Sequence, residues 1–472
     1  MTMDGKFILQ NNPPMPVLDL APPRHLWTKA FREVAAAAAV AAPLLAAALP
    51  AAAIEVVRVA GPGEMEAWLV EEHTNPIITV RVAFEVGAAA DPAGKEGLAS
   101  MVSSLLDEGA GELDSQAFQR RLDELSIRLG FDIGRDTFKG YLKTLTENRD
   151  QAFELLGLAL TKPRFDAEPV SRIRSQIMAR LRRLSQDPDT VAYRKLLEDL
   201  FPDHPYGRPP EGTLESVAAV TAGDIKEFMR KSLAVDNLVV GVVGDITAAE
   251  LAPLLDAAFG GLPAEAETPP VPEVRVKAKG QTMVVDMPVP QSAIVFGHRG
   301  IKRDHPDFYA AYVMNYILGG GSQSSRLYQE VREKRGLAYS VYSQLYPLDH
   351  SALIVGAAGT ANARVGETLK VLRREWRRLA EAGVSDEELT DAKAYLTGSF
   401  PLRFTSSGRI ASMLVGMRLD DLGIDYLDKR NGYIDAVELP RVNRLARRLL
   451  DAKALSVVVV GEPEGIEKTE KE

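Results

Sequence analysis

Arg332 and Tyr339, seven positions apart, are the residues whose types and spacing most directly indicate chemistry. A guanidinium is permanently charged and presents a fork of hydrogen-bond donors, and a phenol adds one O–H donor. Two such donors converging on one point could hold a peptide carbonyl or stabilise a developing oxyanion. The structural alternative is that Arg332 pairs with a nearby carboxylate and that Tyr339 belongs to the core.

The segment before this pair has the composition of a loop. Gly319, Gly320 and Gly321 lack side chains, so the chain there can be flexible and can pack closely against its surroundings. The serines that follow could each cap a helix start by accepting a backbone N–H bond, and they are Ser322, Ser324 and Ser325.

A short helix, a turn and a strand are predicted next. The apolar stripe of the helix is formed by Leu327, Tyr328 and Val331. Gly336 stands where a helix end often requires a left-handed residue. Beyond it the pattern alternates, which places Tyr339, Val341 and Ser343 on one face of a strand. Arg332 is therefore expected near the helix end and Tyr339 near the strand start.

This stretch resembles the C-terminal-half motif of the insulinase/pitrilysin-like (M16) metallopeptidases, especially the short M16B type. The matching segments are Gly319-Gly320-Gly321, Ser324-Ser325-Arg326-Leu327 and Arg332-Glu333-Lys334-Arg335-Gly336-Leu337-Ala338-Tyr339. The resemblance extends from about Ile54 to about Gly461. It implies that Arg332 and Tyr339 are catalytic residues that contact the substrate beside a zinc centre, and that Gly319–Gly321 belong to the substrate-binding segment.

The element pattern predicts a duplicated α+β unit, because strands and helices recur in the same order in two halves. Strands are expected at 77–84, 137–146, 237–244, 292–297, 351–357 and 454–461. Helices are expected at 97–106, 114–129, 149–160, 168–184, 222–232, 248–259, 307–318, 363–382 and 385–400. The predicted organisation is an N-terminal domain at 54–263, a proline-rich linker at 264–277, a C-terminal domain at 278–464 and a charged tail at 465–472. The resemblance implies two M16-type domains, each an antiparallel-rich sheet packed with helices, that form half of a clam-like chamber.

The zinc motif of the resembled family is degenerate in this chain. Catalytic members carry His-x-x-Glu-His on the first helix of the first half, where two histidines bind zinc and the glutamate activates water. The matching slots hold Ser100, Ser103 and Ser104, and residues 170–186 contain no Asp or Glu to act as third ligand. We therefore expect no metal in this chain and zinc in a partner subunit. The serine cluster could alternatively supply a nucleophile, but no His or Lys stands at a motif spacing from it.

The six histidines do not rebuild a metal site, since none stands three or four residues from another. His204 opens the segment His204-Pro205-Tyr206-Gly207-Arg208-Pro209, which resembles a family loop. A structural role is expected for it, and a role as metal ligand is the alternative.

Residues 1–53 are predicted to be a secretory signal peptide with a long lead. Arg24, Lys29 and Arg32 form a positive flank, residues 34–53 are nearly all Ala, Val, Leu and Pro, and the segment ends in three small residues. An uncleaved membrane anchor is the alternative. The expected location is the periplasm, with no membrane attachment once the signal is removed.

Length, net charge and cysteine content limit the number of domains and the classes of partner and chemistry that this chain can have. About 420 residues remain after the export segment, enough for two domains of ordinary size. The net charge of −9 argues against a nucleic-acid partner held by phosphate contacts. The chain has no cysteine, which excludes disulfides and thiolate chemistry.

Two functions from different classes follow from these observations. The first is the non-catalytic, substrate-binding subunit of a heterodimeric periplasmic zinc metallopeptidase that degrades or processes peptides, with a homologous zinc-binding M16B partner. In that reading Arg332 and Tyr339 reach across the dimer. The second is a peptide-binding or assembly protein of M16-like fold with no part in catalysis. A third reading, an independent serine hydrolase using Ser103 or Ser104, would need a base that the motif does not supply.

Overall fold

The structure is a computed structural model that describes residues 54–466 and the backbone of residues 470–471. The predicted export segment, residues 1–53, lies outside the described residues. The predicted linker at 264–277 contains neither helix nor strand, and several hydrogen bonds hold its backbone. Val274 donates to the carbonyl of His350 at 3.0 Å, and Lys277 donates to the carbonyl of Leu200 at 3.0 Å.

Two six-stranded mixed sheets organise the described chain, and they share one topology except at one edge strand. The strands are β1 Val57–Ala60, β2 Glu66–Glu71, β3 Ile77–Phe84, β4 Arg128–Ile133, β5 Phe138–Leu145, β6 Leu238–Gly244, β7 Thr282–Asp286, β8 Gln291–Arg299, β9 Ala338–Leu348, β10 Ser351–Ala361, β11 Ser456–Gly461 and β12 Glu470–Lys471. The first sheet has the order β1-β2-β6-β3-β5-β4, and the second has the order β12-β7-β11-β8-β10-β9. In both, an antiparallel run of four strands adjoins a parallel pair, β2 with β6 and β7 with β11. The predicted duplicated α+β unit with antiparallel-rich sheets is confirmed.

Helices pack on both faces of the sheets. They are α1 Leu98–Ser103, α2 Ser115–Glu124, α3 Arg149–Thr161, α4 Ala167–Leu184, α5 Pro188–Leu200, α6 Leu214–Ala219, α7 Ala222–Ser232, α8 Ala248–Phe259, α9 Phe308–Asn315, α10 Val365–Ala382, α11 Asp386–Gly398, α12 Ser407–Leu419, α13 Tyr426–Asp435 and α14 Leu439–Leu449. Two short π-helical turns, Tyr316–Gly320 and Tyr328–Glu333, flank the glycine-rich stretch. Within the described residues, no helix has both the length and the apolar character needed to cross a bilayer.

Most predicted elements are present, and the prediction of one helix over 114–129 is partly wrong. The helix there, α2, ends at Glu124, the chain reverses at Ser126 with φ of +52°, and β4 begins at Arg128. The apolar residues at the start of β4 continue the spacing of the preceding helix, so the sequence pattern does not separate the strand from the helix.

The two halves exchange helices. Helix α5, from the first half of the chain, packs on β8 and β11 of the second sheet, where a side-chain carbon at Gly297 would lie 3.4 Å from Leu196. Helix α12, from the second half, packs on β3 and β6 of the first sheet. There a carbon at Gly241 would lie 2.8 Å from the carbonyl oxygen of Ala411. Each sheet is therefore completed by a helix from the other half, and the domain boundaries at 263 and 278 stay predictions.

Candidate functional site

Tyr339 is exposed because it is the extra residue of a β-bulge. In the β9–β10 ladder, Ser340 pairs with Gly359 and Ala338 pairs with Thr360, so Tyr339 has no partner across the strands. A bulge re-aims the side chain of its extra residue. Tyr339 is 80 % exposed, whereas Val341 is 3 % exposed. The prediction that Tyr339 shares a face with Val341 and Ser343 is wrong, and so is the alternative that Tyr339 belongs to the core.

Arg332 lies between two tyrosine rings. Its guanidinium carbon is 4.8 Å from the centre of the Tyr328 ring and 5.3 Å from the centre of the Tyr339 ring. Its Nη1 also donates a short hydrogen bond to the phenolic oxygen of Tyr328. Contacts with ring faces hold a cation without neutralising it. The structure thus brings together the two residues that the sequence singled out and adds Tyr328 to them.

Glu330, two residues before Arg332 in the chain, is paired with other cations. Glu330 is buried and contacts Lys334 at 2.6 Å, Arg335 at 2.7 Å and Arg374 at 3.2 Å. Hydrogen bonds from Lys334 and then from Arg335 lower the pKa of the Glu330 carboxyl, so it stays ionised. Among the described residues, Arg332 forms no ion pair, which removes the structural alternative of an Arg332–carboxylate bridge and leaves its charge available to a ligand.

The three glycines allow the first π-helical turn to approach β9 closely. A side-chain carbon at Gly319 would lie 2.4 Å from Oγ and 2.6 Å from N of Ser343. The same contact is fastened by a reciprocal, buried pair: Asn315 Nδ2 donates to the Ser343 carbonyl at 3.1 Å, and Ser343 Oγ donates to Asn315 Oδ1 at 2.8 Å. Gly319 is buried and Gly320 is exposed. Close packing against β9 explains why a glycine stands at 319. A contact between this segment and a substrate stays a prediction.

The serines after the glycines do not cap a helix as predicted. Ser324 Oγ donates to the Gly321 carbonyl at 2.9 Å, and Ser325 Oγ donates to the Ser322 carbonyl at 2.7 Å. They close tight turns in the loop because hydroxyls readily bond nearby backbone carbonyls.

The end of the second π-helical turn is confirmed as a left-handed glycine cap. Gly336 has φ of +56°. Its N–H bonds the Arg332 carbonyl at 2.8 Å, and the N–H of Leu337 bonds the Val331 carbonyl at 2.9 Å. Each bond spans one residue more than in a Schellman motif, as expected at the end of a π-helical turn. This cap joins the turn that carries Arg332 to the strand that carries Tyr339 and fixes their separation.

The three slots of the zinc motif do not fit a zinc ion. Ser103 Oγ and Ser104 Oγ both donate to the carbonyl of Ser100 at 2.9 Å, so these hydroxyls bond the helix backbone. Residues 54–466 contain no group of three His, Cys, Asp or Glu side chains that could hold a metal ion. Neither Ser103 nor Ser104 contacts a His or Lys in this part of the chain, so a serine nucleophile lacks a base as well.

Helix α1 is anchored at its start by a buried carboxylate. Asp91 accepts hydrogen bonds from the backbone N–H groups of Gly97 at 2.8 Å and Ala99 at 3.0 Å. Burial raises the pKa of Asp91 to about 7. On helix α4, Arg172 forms an ion pair with Glu108, from Nη2 to Oε2 at 2.6 Å.

His204 has a structural role, as expected. It is buried, its Nδ1 accepts the N–H of Tyr206 at 3.1 Å, and its Nε2 donates to the carbonyl of Pro272 at 2.9 Å. Burial lowers the pKa of His204. Both ring nitrogens are engaged, so neither is free for a metal.

Sequence reasoning missed two features of the site. Tyr328 was assigned to an apolar stripe, although a tyrosine one helical turn before an arginine could have suggested a ring contact. The bulge at Tyr339 has no reliable signal in the sequence, since the residues on both sides alternate as in a regular strand.

Comparisons with known proteins agree with this architecture. A model described as "Insulinase (Peptidase family M16)" matches residues 67–214, and a model described as "Peptidase M16 inactive domain" matches residues 219–396. The chain belongs to the peptidase M16 family. The inactive-domain model covers the second half, and the serines in the zinc slots lie in the part matched by the insulinase model.

Individual relatives carry both non-catalytic and protease names. The chain is 29 % identical to the "Non-peptidase homolog YmxG" of Helicobacter pylori over 71 % of this chain and 77 % of that one. It is 28 % identical to an "Uncharacterized zinc protease" of Streptomyces coelicolor over 80 % of this chain and 84 % of that one. Among solved structures, a peptidase M16 inactive domain from Pseudomonas fluorescens has a TM-score of 0.81 at 27 % identity, covering 88 % of this chain and all of that one.

Proposed function

We propose that this chain is the non-catalytic, substrate-binding subunit of a heterodimeric zinc metallopeptidase in the periplasm. The partner is a homologous M16B subunit that carries His-x-x-Glu-His and supplies zinc. The observation that carries the proposal is the contact of half-buried Arg332 with exposed Tyr339, a pair without a carboxylate partner among residues 54–466, in a chain whose zinc slots hold serines.

The two side chains would act on the peptide bond as hydrogen-bond donors. Arg332 would donate to the scissile carbonyl and oppose the negative charge that develops on it, and the phenol of Tyr339 would donate a second hydrogen bond. Zinc in the partner would supply Lewis-acid chemistry and an activated water. The exposed bulge is the support for a role in trans, because a side chain that projects from the surface can reach a site on another molecule.

The test combines purified chains. This chain, a candidate partner bearing His-x-x-Glu-His and their mixture are assayed for cleavage of an unfolded peptide. We expect cleavage only by the mixture, sensitive to a chelator, and a loss of about a hundredfold or more with Arg332→Ala. Arg335→Ala is the matched control, since Arg335 stands on the same turn but bonds Glu330. Chelator-sensitive cleavage by this chain alone would refute the proposal, and a mixture indifferent to Arg332→Ala would refute the role of the pair.

A second candidate is a peptide-binding or assembly protein with no part in catalysis. The non-peptidase designation of the Helicobacter pylori relative favours it. In that case Arg332 and Tyr339 would anchor a ligand without promoting any reaction. Binding of an unfolded peptide that is weakened by Arg332→Ala, with no cleavage in any mixture of the two chains, would support this candidate over the first.

A further inference from the structure

One face of the first sheet has cations without carboxylate partners. Helix α12 covers this face over β2, β6 and β3 but leaves β5 and β4 uncovered. On the uncovered part lie Lys139 and Lys143 of β5 and Arg128 of β4, all exposed, with Arg81 of β3 at the border of α12. We call Arg81, Arg128, Lys139, Tyr141 and Lys143 the basic face.

The sheet register places like charges together on this face. Arg128 is directly opposite Lys143 in the antiparallel β4–β5 ladder. Like charges at such positions destabilise a sheet. Asp132, opposite Lys139, is the acidic residue on these two strands that shares the face. Within residues 54–466, none of the four cations forms an ion pair, although the chain as a whole has a net charge of −9. The described part of the folded chain therefore does not neutralise the positive charge of these four residues.

Arg81 adds a second, independent observation. Its Nε is buried and has no acceptor among the described residues, and its guanidinium carbon lies 5.2 Å from the centre of the Tyr141 ring. Tyr141 is 39 % exposed. Its ring lies against the bare backbone of Gly130, where a side-chain carbon would be only 2.7 Å from Cε1 of Tyr141. An arginine with an unfilled donor therefore borders a flat aromatic surface open to solvent.

The spacing along β5 is that of an extended chain. Lys139, Tyr141 and Lys143 are alternate residues of one strand, so they repeat about every 7 Å, as do alternate side chains of any extended peptide. We propose that the basic face binds an extended polypeptide segment with carboxylates at positions i and i+4 and an apolar side chain at i+2. The carboxylates would face Lys139 and Lys143, and the apolar side chain would lie on Tyr141. This site does not rest on the proposed function, because it can be measured with this chain alone.

The experiment uses fluorescence anisotropy with the full chain and a labelled peptide Ser-Glu-Ser-Leu-Ser-Glu-Ser. We expect it to bind at least about tenfold more tightly than the same peptide with Lys in place of Glu, and to weaken at high salt. The double variant Lys139→Gln/Lys143→Gln should weaken binding by about tenfold, since two exposed charge contacts are removed. It should not lower the melting temperature, since it also relieves the repulsion between Lys143 and Arg128. The matched control is Arg182→Gln/Arg183→Gln on α4, which removes two exposed cations without carboxylate partners in the described chain and should change binding less than twofold.

Three results would overturn the proposal. Equal weakening by both double variants would show attraction by net charge alone. Equal affinity for a peptide of the same composition with the two Glu adjacent would remove the strand-spaced match. Preferential binding of vesicles containing phosphatidylglycerol, or of an oligonucleotide, lost in Lys139→Gln/Lys143→Gln, would assign the face to another class of ligand.

Discussion

Arg332 is held by Tyr328 rather than by an acid: Nη1 donates to the phenolic oxygen, and the guanidinium stacks on the ring. An ion pair would fix the guanidinium but neutralise it, whereas this contact orients the group and preserves its charge. The arrangement matters for any ligand with a carbonyl or carboxylate, because a donor that is already oriented loses less entropy on binding.

The first prediction concerns the hydroxyl of Tyr328. Tyr328→Phe keeps the ring and removes the hydrogen bond, so Arg332 becomes less well positioned. We expect kcat/KM of the two-subunit enzyme to fall about tenfold, the equivalent of roughly 1.4 kcal/mol for a hydrogen bond to a charged group. Tyr316→Phe, which removes only a weak contact with Ser324, is the control. An unchanged rate for Tyr328→Phe, alongside a strong effect of Arg332→Ala, would mean that Arg332 needs no such support.

The second prediction separates function from stability at Tyr339. Its side chain is 80 % exposed, so Tyr339→Phe should change the free energy of unfolding by less than about 0.5 kcal/mol in urea titrations. Peptide cleavage by the two-subunit enzyme should nevertheless fall by about a hundredfold, because one donor to the oxyanion is lost. Activity near that of the wild type would exclude the phenol as a donor.

The third prediction uses two glycines with opposite surroundings. Gly319→Ala would force a carbon against the backbone of Ser343, and we expect it to destabilise the protein by about 1–3 kcal/mol. Gly416, inside α12, has open space where a side-chain carbon would stand. Gly416→Ala should therefore stabilise by about 0.5–1 kcal/mol, since alanine is the better helix former. Thermal unfolding of both variants is the measurement, and a neutral Gly319→Ala would contradict the close-packing account.

The fourth prediction concerns pH and the buried His298. Trp376 Nε1 donates to its Nε2 at 2.8 Å, and its Nδ1 donates to the Arg299 carbonyl at 2.6 Å, so the ring is neutral with both nitrogens engaged. Burial lowers the pKa of His298 from 6.5 to about 4. Below pH 6.5, the ordinary pKa of histidine, His298 binds a proton in the unfolded chain but not in the folded chain. The stability that the neutral, buried ring contributes is therefore lost as the pH falls. Between about pH 7.5 and about pH 5 the loss from this residue should be about 2 kcal/mol.

The measurement for His298 must be a difference between variants. Buried Asp91 and half-buried Asp107, whose pKa values desolvation raises to about 7 and about 6, act in the opposite direction, because their folded forms take up protons first. Urea titrations of the wild type and of His298→Gln at the two pH values isolate the histidine. The wild type should lose more stability on acidification than the variant, and parallel losses would contradict the assignment.

Local patterns in the sequence located many of the elements and the proximity of Arg332 to Tyr339, but helices α5, α6, α12, α13 and α14 and strands β1, β2, β4 and β7 were not predicted. Strand β3 was predicted with the bounds it has, and the cap at Gly336 was read from residue type alone. The sheet against which a helix packs could not be predicted from such local patterns. Helix α5 shows a readable N-cap, Asp187, a proline at its first position and a buried apolar stripe, but nothing in that pattern says that it packs on the sheet of the other half.

The site itself was predicted as a pair of residues but not as a geometry. Alternation places Tyr339 with Val341, and only the pairing of β9 with β10 reveals that one residue is extra. The ionic partners of Glu330 likewise come from separate elements: Arg374 lies on α10, and Lys334 follows the second π-helical turn. The spacing of residues therefore could not show that Arg332 forms no ion pair with a described carboxylate. Long-range register and long-range pairing are what local patterns leave out.

Because α5 and α12 cross between the halves, the first half has a structural role even though its zinc slots hold serines. The first half supplies α5, which covers β8 and β11 of the second sheet, so it contributes to the packing of that sheet whatever chemistry it has. Production of the two halves as separate chains would therefore leave one face of each sheet without the helix that covers it.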